Sequence, residues 1–192
     1  MNDLTRASLL IRIRDPRDAD AWREFDTIYR PMLMRFALAR KLGAPEAEDV
    51  AQHVMAAVHE HIGSFDYDPG KGRFKGWLRT IVNNRVRALL GRRREALADS
   101  GEFQVEQERE PSPDEEFDRI WLEEHLRHAV ERVRREVEES TYQAFRAHVL
   151  DGRSVEQTCA EFGMNPNQVY RIKFRVMQKL REQLRMLDES ID

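Results

Sequence analysis

The stretch SVEQTCAEFGMNPNQVYRIKFRVMQKLRE, residues 154–182, contains the strongest local fold signals of the chain. Ser154 and Gln157 have the spacing of a capping box, which starts a short helix. Gly163 stands where the end of that helix needs a residue of positive φ. Asn165 then fits the cap of a second helix. A short helix, a tight turn and a long basic helix in this order are typical of a DNA-binding helix-turn-helix.

The second of these helices has two distinct faces. Apolar residues recur at three- and four-residue spacing and are expected to face the core: Val169, Ile172, Val176, Leu180 and Leu184. The other positions carry the residues that we predict to contact duplex DNA: Asn167, Gln168, Tyr170, Arg171, Lys173, Phe174 and Arg175. Arginine and glutamine can read base edges, and lysine can bind phosphates. An ordinary helical hairpin is the alternative, but the two caps and the basic outer face favour DNA binding.

Charge is unevenly distributed along the chain, although the net charge is only -3. Residues 69–94 include nine basic residues and no acidic one, whereas residues 95–118 include ten acidic residues and one basic residue. Residues 165–185 are basic again. Two basic segments on either side of an acidic one indicate two polyanion-binding modules on a tether. Solvated helix faces are the other interpretation that charge alone leaves open.

The first basic segment includes FKGWLRTIVNNRVRALLGRRR, residues 74–94, which interleaves aromatic, amide and arginine side chains. Single-stranded DNA is bound by aromatic platforms for its bases and a basic track for its phosphates. Asn83 and Asn84 could offer amides to the edge of an unstacked base. Burial in the core also fits Phe74 and Trp77, and for Trp77 it is the better interpretation.

Helical periodicity runs through most of the chain, and no strand pattern appears. The predicted helices of the first half cover residues 19–41, 45–62 and about 75–90. The periodicity is lost at about residues 97–118, where prolines, a glycine and acidic residues indicate a flexible linker. We therefore predict an all-α protein with two small helical domains, residues 1–96 and 118–192, joined by an acidic linker of residues 97–117.

Four segments resemble the extracytoplasmic-function (ECF) branch of bacterial RNA polymerase sigma factors. Three of them resemble its region 2: WREFDTIYRPMLMRFA (residues 22–37), AEDVAQHVMAAVHEHIGSFD (47–66) and the segment 74–94. The fourth, VYRIKFRVMQKLRE (169–182), is similar to its region 4. All four occur in the family's order, with the linker at the family's place. The resemblance implies a region 2 helical bundle in the first domain and a region 4 helix-turn-helix in the second.

The resemblance also implies a role for each matching residue. The helix that binds the polymerase would contribute Asp49, Gln52, His53, Val54 and Met55. Recognition of the melted minus-ten element, in which Asn84 captures a flipped base, would use Phe74, Trp77, Arg79, Asn83, Asn84, Arg85 and Arg87. The outer face of the last helix would bind the minus-thirty-five element. The chain departs from the family at His53, where an acidic residue is usual, and at Ile172, where many relatives have a polar one.

Partners follow from the same resemblance. It implies binding to core RNA polymerase, at the β′ clamp and the β flap, and to promoter DNA, both duplex and melted. An anti-sigma factor is a further expected partner. The chain would direct core polymerase to specific promoters without catalysing a reaction and without a cofactor. The alternative is a conventional helix-turn-helix regulator that binds operator DNA without joining polymerase, and it leaves residues 74–94 unused.

Other classes of function have little support. At helical spacing, His53, His59 and His61 do not converge on a metal ion. His125 and His128 can share a face, but no carboxylate arrangement lies beside them. The single cysteine, Cys159, excludes an intramolecular disulfide, and we expect it to pack between helices rather than act as a redox thiol. No apolar run approaches the ~18 residues of a membrane span, and no secretory signal is evident. We therefore expect no membrane insertion and a cytoplasmic location.

Overall fold

A computed structural model of the chain describes residues 6–65, 74–100 and 112–188. Helices are the only regular structure in these ranges, which confirms the all-α prediction. Their bounds are α1 Arg6–Arg12, α2 Ala19–Ala39, α3 Ala44–His61, α4 Phe74–Ser100, α5 Pro113–Glu136, α6 Glu139–Phe145, α7 Val155–Phe162 and α8 Pro166–Asp188. A 3-10 turn, Ile62–Ser64, follows α3, and a π-helical segment, Arg146–Leu150, follows α6.

Internal contacts divide the chain into two units. One consists of Met1–Glu124 with Asp188–Asp192, and the other is His125–Leu187. Most of the predicted loop at residues 65–74 and most of the predicted linker, residues 101–111, lie outside the described residues. No helix in the described part of the chain is both long enough and apolar enough to cross a bilayer.

The first unit is built on the apolar faces of α2, α3 and α4. Phe25 and Phe36 of α2, Val54 of α3 and Leu78 of α4 are each fully buried. The predicted apolar stripes therefore meet in one core, as amphipathic helices require. α2 continues through Pro31, which is exposed. Its N-terminus is capped by Asp18, whose Oδ1 accepts a hydrogen bond from the Ala21 N–H at 2.9 Å.

The start of α5 also belongs to this core, which differs from the expected domain boundary at residue 118. Phe117, Ile120 and Trp121 are fully buried among the residues of the first unit. The Phe117 ring lies 5.5 Å from that of Phe36, and the Trp121 ring lies 5.7 Å from that of Tyr29. Three large side chains buried at about 1.5–3 kcal/mol each are enough to hold a helix segment in place. The contact-based boundary accordingly lies after Glu124.

The second unit has a smaller core. It consists of Ala129 and Val133 of α5, Phe145 of α6, and Val176 and Leu180 of α8. Partly buried side chains surround these five residues: Val130, Val137, Val149, Ile172, Met177 and Leu184. Because so few large side chains are fully buried, each contributes a large share of the stability of this unit.

Candidate nucleic-acid interface

The helix-turn-helix has the local geometry that its sequence predicts. The Ser154 Oγ accepts a hydrogen bond from the Gln157 N–H at 3.2 Å, and the Gln157 side chain accepts one from the Ser154 N–H at 2.9 Å. Gly163 has φ +63° and ψ +34°. A second reciprocal pair joins Asn165 and Gln168 at 3.0 and 2.8 Å. The two helices and the turn between them are thus specified by short-range interactions.

The long helix α8 has one buried and one exposed face, as its periodicity predicts. Val169 and Val176 are each 1% exposed. The exposed face carries all seven residues predicted to contact duplex DNA: Asn167, Gln168, Tyr170, Arg171, Lys173, Phe174 and Arg175. Two of them are aromatic residues with large exposed fractions, 56% for Tyr170 and 65% for Phe174. Tyr170 and Phe174 are four residues apart and lie on one side of the helix beside cations, so they offer a surface that a partner can cover.

The predicted minus-ten surface on α4 is smaller than the sequence indicated. Phe74 is fully buried, and its ring contacts those of Phe25 and Tyr29. It therefore belongs to the core and cannot stack on a base. Asn83 is also buried, and its Nδ2 donates a hydrogen bond to Asp114 Oδ1 at 3.1 Å. Its amide is already used inside the unit, so the structure corrects the expectation that it faces DNA.

Two of the predicted arginines on α4 are half-buried and paired with carboxylates. Arg79 lies 3.7 Å from Asp114 and 3.6 Å from Asp118. Arg85 donates a hydrogen bond to Asp49 of α3. These pairs neutralise two cations that were expected to take part in recognition of the minus-ten element.

The remaining positions predicted for the minus-ten element stay accessible. Asn84 and Arg87 are exposed, and their three-residue spacing places them on one face of α4. Trp77 is half-buried and stacks against Phe65 with their ring centroids 4.8 Å apart. One amide and one cation at the surface, beside a partly covered aromatic ring, are the groups that an unstacked base and its phosphate could reach.

The predicted polymerase-binding residues on α3 fall into two groups. Asp49, Gln52 and His53 are exposed and available to a partner. Val54 is fully buried and Met55 is 9% exposed, because both belong to the apolar face of the helix. The structure therefore excludes Val54 as a direct contact and leaves Met55 only a small exposed edge.

Sequence reasoning missed the residues that cover part of α4. Asp114 was assigned to the linker and Asp118 to the start of the second domain, yet both lie on the first turns of α5 within the first unit. A usable signal was present, since Ser112 and Glu115 form a capping box with reciprocal hydrogen bonds of 3.2 and 3.1 Å. This pattern, followed by a proline, marks the start of a helix.

Other candidate groups are less informative. Cys159 is half-buried in α7, so it is less enclosed than we expected. Within the described ranges, no three His, Cys, Asp or Glu side chains come close enough to hold a metal ion.

A comparison with known protein families matches part of the chain. Residues 27–95, which cover most of α2, all of α3 and most of α4, match the protein family described as Sigma-70 region 2. This part of the chain is similar to region 2 of that family. The matched residues are those in which region 2 was predicted, and the helix-turn-helix follows them in the chain. The conventional regulator is not favoured, because it gives residues 27–95 no role.

Two solved structures are also similar to this chain. One is the RsbN–BldN complex, at 20% sequence identity and a TM-score of 0.36, covering 94% of this chain and 99% of that chain. The other is the sigma factor RpoE in complex with the anti-sigma factor NepR from Bartonella quintana, at 18% identity and a TM-score of 0.37, covering 87% of this chain and 98% of that chain. No curated protein matches the chain significantly.

Proposed function

We propose that this chain is an RNA polymerase sigma factor of the ECF type. It binds core RNA polymerase through the exposed residues of α3, reads the melted minus-ten element with α4 and binds the minus-thirty-five duplex with α8. The observation that carries the proposal is the division of α8 into a buried apolar face and a basic, aromatic face in which all seven predicted contacts are exposed. The match of residues 27–95 to region 2 supports the roles of α3 and α4.

The proposed minus-ten contacts involve fewer residues than the family resemblance implied. Asn84 and Arg87 remain as direct contacts, with Trp77 beside them, because Phe74 is in the core and Asn83 is hydrogen-bonded internally. Two weak DNA sites on separate units combine into a selective one when a promoter engages both at once. No residue needs to act as an acid, a base or a nucleophile in this mechanism.

Asn84 and Arg171 should fail at different steps, which tests this division of labour. Asn84→Ala should weaken recognition of the minus-ten element by about 1–3 kcal/mol, since it removes an amide that bonds an extruded base. Arg171→Ala should weaken binding of the upstream duplex by about 1–3 kcal/mol if it reads a base edge. On a pre-melted promoter bubble that lacks the upstream element, only Asn84→Ala should be defective in transcription with core polymerase.

The matched control is Gln178→Ala, at another exposed position of α8, which should behave as the wild type on both templates. Equal behaviour of Asn84→Ala and Arg171→Ala on the bubble would contradict separate roles for the two units. Absence of promoter-specific transcripts from the wild type with core polymerase would contradict the proposed function as a whole.

Asp49 provides a test of the polymerase-binding face. Asp49→Asn removes the charge but keeps the shape, so affinity for core polymerase should fall by about 0.5–1.5 kcal/mol if the carboxylate contacts the clamp. Glu48→Gln is a matched control, because Glu48 is also half exposed and also pairs with an arginine, Arg30. If the two variants bind core polymerase equally well, Asp49 serves only to hold Arg85.

An anti-sigma factor remains a further expected partner, which co-purification from cells would identify.

A further inference from the structure

Part of the polar surface of α4 is covered by α5. Lys75, Arg79 and Asn83 are spaced four residues apart and form one stripe along the helix. The stripe is covered by the first turns of α5, within the first unit. Lys75 Nζ lies 2.8 Å from Asp118 Oδ1, and Arg79 lies within 4 Å of both Asp114 and Asp118.

The covering segment is held independently of these ion pairs. Phe117, Ile120 and Trp121 are fully buried in the core, on the same turns that carry the two aspartates. Arg35 of α2 adds hydrogen bonds to Glu123 and Glu124 at the far end of the segment. A helix segment anchored in this way does not depend on the ion pairs to Lys75 and Arg79 for its position.

The ion pairs are partly exposed, and Lys75 is the least exposed of the four side chains. Those of Asp114 and Asp118 are 61% and 47% exposed, that of Arg79 is 33% exposed and that of Lys75 is 20% exposed. Pairs of this kind are screened by solvent and contribute little to stability. A phosphate can therefore replace a carboxylate by side-chain movement alone, while the α5 backbone stays docked.

We propose that Asp114 and Asp118 are built-in competitors of nucleic acid, which hold Lys75 and Arg79 away from the phosphates of single-stranded DNA. The proposal rests on the proposed function of α4 as a DNA-binding helix. The free chain then presents fewer cations than its basic segment contains, and its affinity for single strands outside a promoter complex is reduced. Phosphates held at the stripe within an open promoter would take the place of the two carboxylates.

The test uses the full chain and a fluorescein-labelled (dT)20 strand, with binding followed by anisotropy over a range of salt concentrations. The variant Asp114→Asn/Asp118→Asn keeps the hydrogen bond to Asn83 possible and removes both charges. Its affinity should rise about three- to tenfold, as two partly exposed charge pairs allow. The dependence of log affinity on log salt should steepen by about 1.4, because each freed cation that binds a phosphate of a single strand adds about 0.7.

The matched control for net charge is Glu95→Gln/Glu115→Gln, since both of these residues are exposed and neither is paired with Lys75 or Arg79. A second arm adds Lys75→Gln/Arg79→Gln to the aspartate pair. In the Lys75→Gln/Arg79→Gln background, Asp114→Asn/Asp118→Asn should raise the affinity for the strand no more than Glu95→Gln/Glu115→Gln does. Far-UV circular dichroism establishes that each variant is folded, and the single variants D114N and D118N replace the double one if it is not.

Two outcomes would overturn the proposal. One is a gain in affinity no greater than that of the control, and the other is an equal gain with Lys75 and Arg79 absent. If either result is found while the chain still directs promoter-specific transcription with core polymerase, the proposed function stands and the competition does not. A chain without promoter-specific transcription that still shows the coupled gain would leave the competition standing and remove the proposed function.

Discussion

Phe117→Ala should lower the free energy of unfolding of the first unit by about 3–5 kcal/mol, because a fully buried aromatic ring is replaced by a cavity. The ring packs edge-on against Phe36 and lies 5.8 Å from Trp121. The three tryptophans of the chain, Trp22, Trp77 and Trp121, all belong to this unit, so their fluorescence reports its unfolding. Urea titration followed by tryptophan emission is the measurement.

Leu122→Ala is the matched control, since Leu122 is on the same helix but 58% exposed. It should change the free energy of unfolding by at most about 0.5 kcal/mol, as surface substitutions usually do. Equal urea midpoints for the two variants would show that the first turns of α5 do not belong to the core of the first unit. A large difference between them would show that Phe117 is part of that core, in agreement with a boundary after Glu124.

Phe145→Ala should unfold the second unit and leave the first one folded. Phe145 is 1% exposed and is the only aromatic residue among the five that form the described core of this unit. Its truncation costs about 3–5 kcal/mol, which is comparable to the whole stability of a small domain. We expect a loss of helical signal in far-UV circular dichroism, a loss of upstream duplex binding and an unchanged urea transition of the tryptophans.

Leu150→Ala gives the control for this change, because Leu150 lies in the adjoining π-helical segment and is 53% exposed. It should retain both the helical signal and duplex binding. If Phe145→Ala also shifts the tryptophan transition, the two units unfold together, and the variant then reports on the whole chain rather than on the second unit alone.

The sequence predicted the face of α8 well and the surface of α4 poorly. On α8, the seven predicted contacts are exposed and Val169, Val176 and Leu180 are buried, because one apolar stripe decides the orientation of the helix. On α4, the basic and amide residues surround the helix, so the periodicity did not show which of them would be covered. Asn83 and Asn84 are neighbours in the chain, and only the first is buried.

The same limit applies to apolar residues on α5. Leu122 and Leu126 continue the apolar spacing of α5, yet they are 58% and 43% exposed. Phe117 was assigned to the linker and is fully buried. A helix whose buried residues belong to two different units need not keep one continuous buried stripe, so its periodicity cannot show where one core ends and the next begins.

The sequence by itself determined the helix-turn-helix, its two caps and the turn at Gly163, because each depends on hydrogen bonds and backbone angles within three or four residues. It also predicted the segment that matches Sigma-70 region 2, since those residues are continuous in the chain. Only the tertiary structure decided that Asp114 binds Asn83, that Asp118 binds Lys75 and that Asp49 binds Arg85. The partners in these pairs are 31 to 43 residues apart. No local pattern records such distances, because they arise only when the buried faces of α3, α4 and α5 come together in one core.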